Sequence, residues 1–164
     1  ALGSGAPKHA IQWIEHPSIE ASNYLMRHQG VRLVLATGGA GMVKAAYSSG
    51  TPAFGVGPGN TPAYIDRSAR IDLAVTSIII SKTFDNGTIC ASEQSVVTHA
   101  DIADKVEAKF EQNGVYFCSE EEAERLADVA IDPKRQMMSA AVVGQPVAKI
   151  AKLADIKIPA NTKF

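Results

Sequence analysis

Val31-Arg32-Leu33-Val34-Leu35-Ala36 is a short apolar run rich in β-formers. It breaks at Thr37-Gly38-Gly39-Ala40-Gly41, after which Met42, Val43, Ala46 and Tyr47 recur at helical spacing. The pattern predicts a strand, a glycine turn and a helix ending at Ser48-Ser49-Gly50. Pro52-Ala53-Phe54-Gly55-Val56 then resumes the buried, extended character of a next parallel strand, completing a βαβ unit. Upstream, residues 6–15 read as a helix with Pro7 in its first turn and Ala10, Trp13 and Ile14 inward, and residues 18–28 as a weaker one. Gly57-Pro58-Gly59-Asn60-Thr61-Pro62 combines φ-permissive with φ-locked residues, as a hinge would.

Beyond that loop, residues 63–65 predict a strand, and residues 68–82 a helix with Ile71, Val75, Ile78 and Ile79 in one stripe. A polar loop carries Cys90. Residues 95–98 predict a strand, followed by a helix capped by Asp101, with Ile102, Val106 and Phe110 stepping by four and Gly114 ending it. Residues 115–117 predict a brief strand. Ser119 and Glu122 have the spacing of a capping box ahead of Ala123, Leu126, Ala127 and Ala130, and Pro146 opens a last helix with Val147, Ile150 and Leu153 inside. Alternating strands and helices imply an α/β fold with a largely parallel sheet.

Charge narrows the partners. Sixteen basic against seventeen acidic residues give a net charge of −1, and the only like-charge block is Glu120-Glu121-Glu122, so nothing predicts binding to nucleic acid or an anionic membrane. The longest apolar run, residues 71–80, is too short to cross a bilayer. Two cysteines make a meagre disulfide framework for a chain able to bury a core, so both are expected reduced and the compartment cytoplasmic. The first residue is alanine and the last follow an apolar segment, which leads us to expect a piece of something longer. The histidines, cysteines and carboxylates show no metal-ligand spacing.

Two motifs carry candidate chemistry. At residues 37–44 a strand end feeds a helix start, where free N–H groups and the helix dipole would favour a pyrophosphate. The dinucleotide fingerprint counted from Gly39 and Gly41 nevertheless finds Lys44 where its third glycine belongs. A plain tight turn and a phosphate site both stay open. Cys90, beside Ile89 and among Gly87, Thr88, Ala91 and Ser92, has neighbours small enough to admit a ligand. A nucleophilic thiol needs that access and a means of ionising. His99, beyond a strand, has no evident claim as its base, and Cys90 could equally be one more small buried hydrophobe, as Cys118 is expected to be.

The segment Thr83-Phe84-Asp85-Asn86-Gly87-Thr88-Ile89-Cys90-Ala91-Ser92-Glu93-Gln94 resembles the nucleophile loop of the CoA-acylating aldehyde dehydrogenases, above all those of bifunctional aldehyde-alcohol dehydrogenases. Residues 35–50 and 55–62 resemble the same family in the same order. The resemblance implies an α/β, aldehyde dehydrogenase-like chain containing parts of two parallel-sheet domains. Residues 1–60 would end the nucleotide-binding domain and residues 61–164 begin the catalytic one, with a cleft between them. Cys90 would be the catalytic nucleophile, its own N–H one donor to the oxyanion, and the second donor, an asparagine, would precede Ala1. Thr37, Gly38 and Gly39 would lie against the cofactor, NAD, in a binding mode unlike the ordinary Rossmann one. Coenzyme A would be the co-substrate, and acetaldehyde or another short aldehyde would be interconverted with its acyl-CoA.

The hydrolytic members of the wider superfamily carry a water-activating glutamate where Val56 stands here, 34 residues before Cys90. The resemblance therefore implies an acyl-enzyme kept from water for a thiol to attack. Homo-oligomerisation and fusion to an alcohol dehydrogenase module are also implied. The rival readings are a hydrolytic NAD(P)-dependent aldehyde dehydrogenase and an inactive nucleotide-binding fragment.

Overall fold

The computed structural model describes residues 2–134 and 137–164. The chain forms two compact units, residues 1–58 and 59–164.

In the first unit, α1 (Ile19–Arg27) begins at Ser18, whose hydroxyl accepts the Ala21 N–H at 3.0 Å and so satisfies one first-turn donor. Strands β1 (Val34–Thr37) and β2 (Ala53–Val56) pair in parallel, Leu35 opposite Phe54, with α2 (Ala40–Tyr47) as the crossover. The period-two alternation turns Val34, Ala36 and Ala53 toward Met26 and Ala46, which form the small core, and leaves Leu35 74% exposed beside Phe54. The Thr51 hydroxyl donates to the Met26 carbonyl at 2.7 Å, pinning α1 to the approach of β2.

Gly55 lets the helix approach the strand. A Cβ there would lie 2.6 Å from Val43 Cγ1 and 2.9 Å from a Tyr47 ring carbon, while the Gly55 N–H donates to the Tyr47 hydroxyl at 3.0 Å. Gly55→Ala must push both side chains aside, and the expected loss is about 1–3 kcal/mol of stability in this unit. A chemical-denaturation midpoint equal to that of the parent would show that α2 yields without strain.

The second unit repeats the plan. Strands β3 (Thr61–Ile65) and β4 (Glu93–Thr98) pair in parallel, with an irregular register between Thr61 and Pro62. Proline has no N–H to give a ladder, and it is found at such breaks. Helix α3 (Ile71–Thr83) crosses between them and packs with α4 (Ala100–Gln112), burying Ile65, Val75, Ile78, Ile79, Val106 and Phe110 together. Lys109 pairs with Asp72 across the two helices. Helix α5 (Glu120–Ala130) starts at a complete capping box, in which the Ser119 hydroxyl accepts the Glu122 N–H and the Glu122 carboxylate accepts the Ser119 N–H. A short antiparallel pair follows, β5 (Ile131–Asp132) with β6 (Met137–Met138). It was not anticipated, because two-residue strands leave no period to read. Helix α6 (Val147–Leu153) contributes Ala151 to a second cluster with Ala154 and Ile156.

Several expectations fail for identifiable reasons. Residues 6–15 form turns and no helix: His9 has a φ of 67° and Trp13 is 84% exposed, so no buried face repays helix nucleation. Residues 115–117 form no strand. The Tyr116 N–H donates to the Phe164 carbonyl and the Lys163 N–H to the Gly114 carbonyl, two bonds that do not extend into a ladder. His99 takes the N-cap place expected of Asp101, whose carboxylate instead meets Arg67 at 2.9 Å. Pro146 stands one place earlier than expected, at the N-cap of α6. Leu153 is exposed, because the buried line of that helix runs through Ala151 to Ala154 and Ile156, whose N–H closes on the Ala151 carbonyl. Helix α3 starts at Ile71, three residues late, after Asp66 has closed a turn on Ser68 through two hydrogen bonds.

Candidate active site

Cys90 lies in the connection from α3 to β4. Helix α3 ends at Thr83, and Phe84–Gly87 follows as a short 3₁₀ stretch in which Asp85 (φ 50°, ψ 39°) and Asn86 (φ 51°, ψ 36°) are both left-handed, as is Gly87 (φ 74°). Left-handed non-glycine residues cost about 1–2 kcal/mol each, and asparagine and aspartate bear it best. Thr88 braces the reversal, its hydroxyl donating toward the Asp85 carboxylate at 2.7 Å and the Asp85 carbonyl at 3.0 Å. The Asn86 amide donates to the Gly144 carbonyl at 3.0 Å, 58 residues away in sequence.

The next four residues form a turn. The Ser92 N–H and hydroxyl both donate to the Ile89 carbonyl, at 3.1 and 2.8 Å, and Ser92 is 2% exposed. Burying Ser92 with its hydroxyl satisfied anchors the turn and leaves Cys90 and Ala91 at its tip. Cys90 is exposed and unpaired. From its other side the turn is met by backbone: a Cβ on Gly59 would lie 2.9 Å from the Cys90 carbonyl oxygen. The Lys82 ammonium donates to Gln94 at 2.7 Å, and Gln94 donates to the Ser92 carbonyl at 3.3 Å, tying the end of α3 to the start of β4. Burial lowers the pKa of Lys82, against the nearby Glu93 carboxylate, which raises it.

Cys118 was expected to be buried, and it is exposed and free. Its thiol is nonetheless pushed above the ordinary range, first by partial burial and then by the Glu122 carboxylate, so it holds on to its proton. His99 is at the far end of β4 from Cys90, roughly 20 Å along a strand of that length, where its Nε2 lies 2.8 Å from the Tyr64 hydroxyl. A largely apolar cavity of about 570 Å³ is lined by Asn86, Gly87, Thr88, Cys118 and Ile150 among others, but not by Cys90. Among the described residues no three His, Cys, Asp or Glu side chains gather as a metal site would require, and no helix is long and apolar enough to cross a membrane.

In the first unit, Thr37 ends β1 and Gly39 is the N-cap of α2, with no side-chain cap. The Gly38 N–H is taken by the Val56 carbonyl at 3.1 Å, whereas the first N–H groups of any α-helix have no acceptor within it. Gly39 has a φ of −66°, which any residue can adopt, and a Cβ at Gly39 or Gly41 would meet no atom within 4 Å. Neither backbone strain nor internal packing therefore requires glycine at these two places. A group approaching the backbone closely would require it, and the helix start offers such a group N–H donors and a positive dipole end. The open space at Gly39 and Gly41 is compatible with an anionic group at the helix start, whereas the Gly38 N–H is already engaged and a Cβ at Gly38 would lie 3.3 Å from Met42 Cβ.

The aldehyde dehydrogenase family profile matches residues 1–128. The chain is 54% identical, over its whole length, to the bifunctional aldehyde-alcohol dehydrogenase of Escherichia coli, of which it covers 18%. Among solved structures it is similar to an acetylating aldehyde dehydrogenase from Geobacillus thermoglucosidasius, at 48% identity and a TM-score of 0.88, over 99% of this chain and 36% of that one. It is also similar to a propionaldehyde dehydrogenase from Rhodopseudomonas palustris solved with bound CoA and an acylated cysteine, at 32% identity and a TM-score of 0.83, over 99% of this chain and 37% of the other. The chain thus spans under a fifth of its curated relative and about a third of these structures. With a family profile matched over residues 1–128, well over half of the chain, the chain belongs to the aldehyde dehydrogenase family.

Proposed function

We propose that this chain is the part of a CoA-acylating aldehyde dehydrogenase that carries its nucleophile, Cys90. The reading rests on one observation above others: a free cysteine at the exposed tip of a braced turn, in a chain similar over nearly all its length to enzymes described as acetylating. In the oxidative direction the Cys90 thiolate adds to the aldehyde carbonyl carbon, forming a C–S bond. The hemithioacetal carbon then loses hydride, leaving a thioester on Cys90. Coenzyme A displaces the acyl group through its own sulfur, and Cys90 returns as the thiolate. The Cys90 N–H stabilises the oxyanion that develops in each addition. Thr37, Gly38 and Gly39 hold the nicotinamide cofactor, NAD, which when bound supplies the hydride acceptor. In this reading residues 1–58 serve the nucleotide and residues 59–164 the thiol.

The side chain of Val56, at the end of β2, has no proton-accepting atom, which supports thiolysis over hydrolysis of the acyl-enzyme. Acetaldehyde is the proposed substrate, in a cytoplasmic homo-oligomer with an alcohol dehydrogenase module in the same chain. The test is the product formed by the full-length protein from acetaldehyde and NAD, with and without coenzyme A. Acetyl-CoA that appears only when coenzyme A is present is the expected result. Free acetate formed at the same rate without coenzyme A would instead assign a hydrolytic enzyme.

A further inference from the structure

Four residues before Cys90, Asn86 combines a strained backbone with a long-range bond. Its left-handed φ of 51° follows that of Asp85, and such pairs persist only where the surroundings hold them. What holds this pair is the turn at residues 139–145. That turn closes on itself through Val142 N–H to Ser139 carbonyl and Gln145 N–H to Val142 carbonyl, both at 3.1 Å, and is anchored by the buried Val142 side chain. Its Gly144, itself at φ 67°, meets the thiol loop twice. The Gly144 carbonyl accepts the Asn86 amide at 3.0 Å, and a Cβ on Gly144 would lie 3.3 Å from Thr88 Cγ2. Thr88 is locked in turn to Asp85, and only Ile89 separates it from Cys90. The path from a fixed turn to the thiol is therefore short and braced throughout.

We propose that Asn86 is a positioning residue for Cys90: its amide bond to the Gly144 carbonyl transmits the fixed place of the 139–145 turn to the thiol loop. The inference rests on Cys90 being the nucleophile. Asn86 spends its amide on the Gly144 carbonyl, and its effect is on where the sulfur is held. Misplacing a reacting atom by a fraction of an ångström to an ångström lowers turnover by about tenfold to a hundredfold while leaving substrate binding largely intact.

The test compares Asn86→Gly and Asn86→Asp in the full-length protein. Glycine accepts the left-handed backbone without strain but donates nothing to Gly144. Aspartate keeps the shape and the left-handed tolerance but, ionised, offers an oxygen where the carbonyl needs a donor. Both should lose kcat by about tenfold or more with the aldehyde and CoA KM values within about twofold of the parent. Both should also change the rate of Cys90 alkylation by iodoacetamide, followed on the Cys90 peptide by mass spectrometry, by about fivefold or more. If Asn86 serves only to relieve backbone strain, Asn86→Gly will match the parent in both readouts, and the proposal is overturned. Should Asn86→Gly not fold, parental kcat and alkylation in Asn86→Asp would overturn it equally. The alkylation rate needs no turnover, so a parent protein inactive with acetaldehyde would count against the proposed function and leave this comparison standing.

Discussion

Cys90→Ala should abolish acetyl-CoA formation by the full-length protein, with a loss of kcat of at least about a thousandfold, because the covalent path is removed and no neighbouring side chain can replace it. The other thiol of this chain, Cys118, is held protonated by partial burial and the Glu122 carboxylate, and no rescue is expected from it. Folding should be unaffected, since Cys90 sits exposed at the tip of a turn anchored by Ser92, and the substitution leaves no cavity. Two measurements decide the matter: steady-state acetyl-CoA production, and mass spectrometry for an acyl group on the Cys90 peptide after incubation with acetyl-CoA alone. Undiminished turnover in the variant, or acylation at some other cysteine, would remove Cys90 from its role.

Gly59→Ala should be the next most damaging change, even though residue 59 carries no chemistry. The added methyl would lie 2.9 Å from the Cys90 carbonyl oxygen and 3.9 Å from Cys90 Cβ, and the first of these contacts is with backbone, which cannot swing aside as a side-chain end can. Either Gly59 or the turn at Cys90 must move. If the turn moves, the sulfur and the Cys90 N–H proposed as oxyanion donor move together, and a displacement of about 1 Å costs roughly a hundredfold in kcat. Overpacking adds about 1–3 kcal/mol of destabilisation. The kinetic effect should exceed the effect on stability, so kcat is best measured well below the unfolding temperature. A variant with parental kcat and a lowered melting temperature would place the strain on the Gly59 side and acquit the thiol loop.

These two substitutions differ in how far they could be foreseen. Cys90 was legible as a candidate from its small neighbours and, more decisively, from a run of residues resembling a known nucleophile loop. Gly59 read only as part of a flexible hinge, because nothing in a linear pattern says which backbone atom will come to rest against it. Asn86 was legible only as one letter of that run, because its bond to Gly144 spans 58 positions that no local rule connects. The glycines at 38, 39 and 41 present the opposite case. Local pattern left a tight turn and a phosphate site equally open, and the structure adds that Gly39 and Gly41 meet no strain or crowding of their own.

Helices α3, α4 and α5 were legible because each carries an apolar stripe of period 3.6 or a capping box, and both signals act within a few residues along one chain. The parallel pairs followed from apolar runs flanking such helices. The sequence also marked Cys90 as the candidate thiol and Val56 as a residue with no side-chain carboxylate, 34 positions before it. Tertiary structure alone decided that residues 6–15 stay unwound for want of a surface to bury, that Leu153 faces outward while Ala151 faces in, and that Gly59 lies against the Cys90 carbonyl while Gly144 accepts the Asn86 amide. The physical reason is common to all three: propensity and period act over a turn or two of chain, whereas burial and steric contact depend on which distant residues come to share the same space.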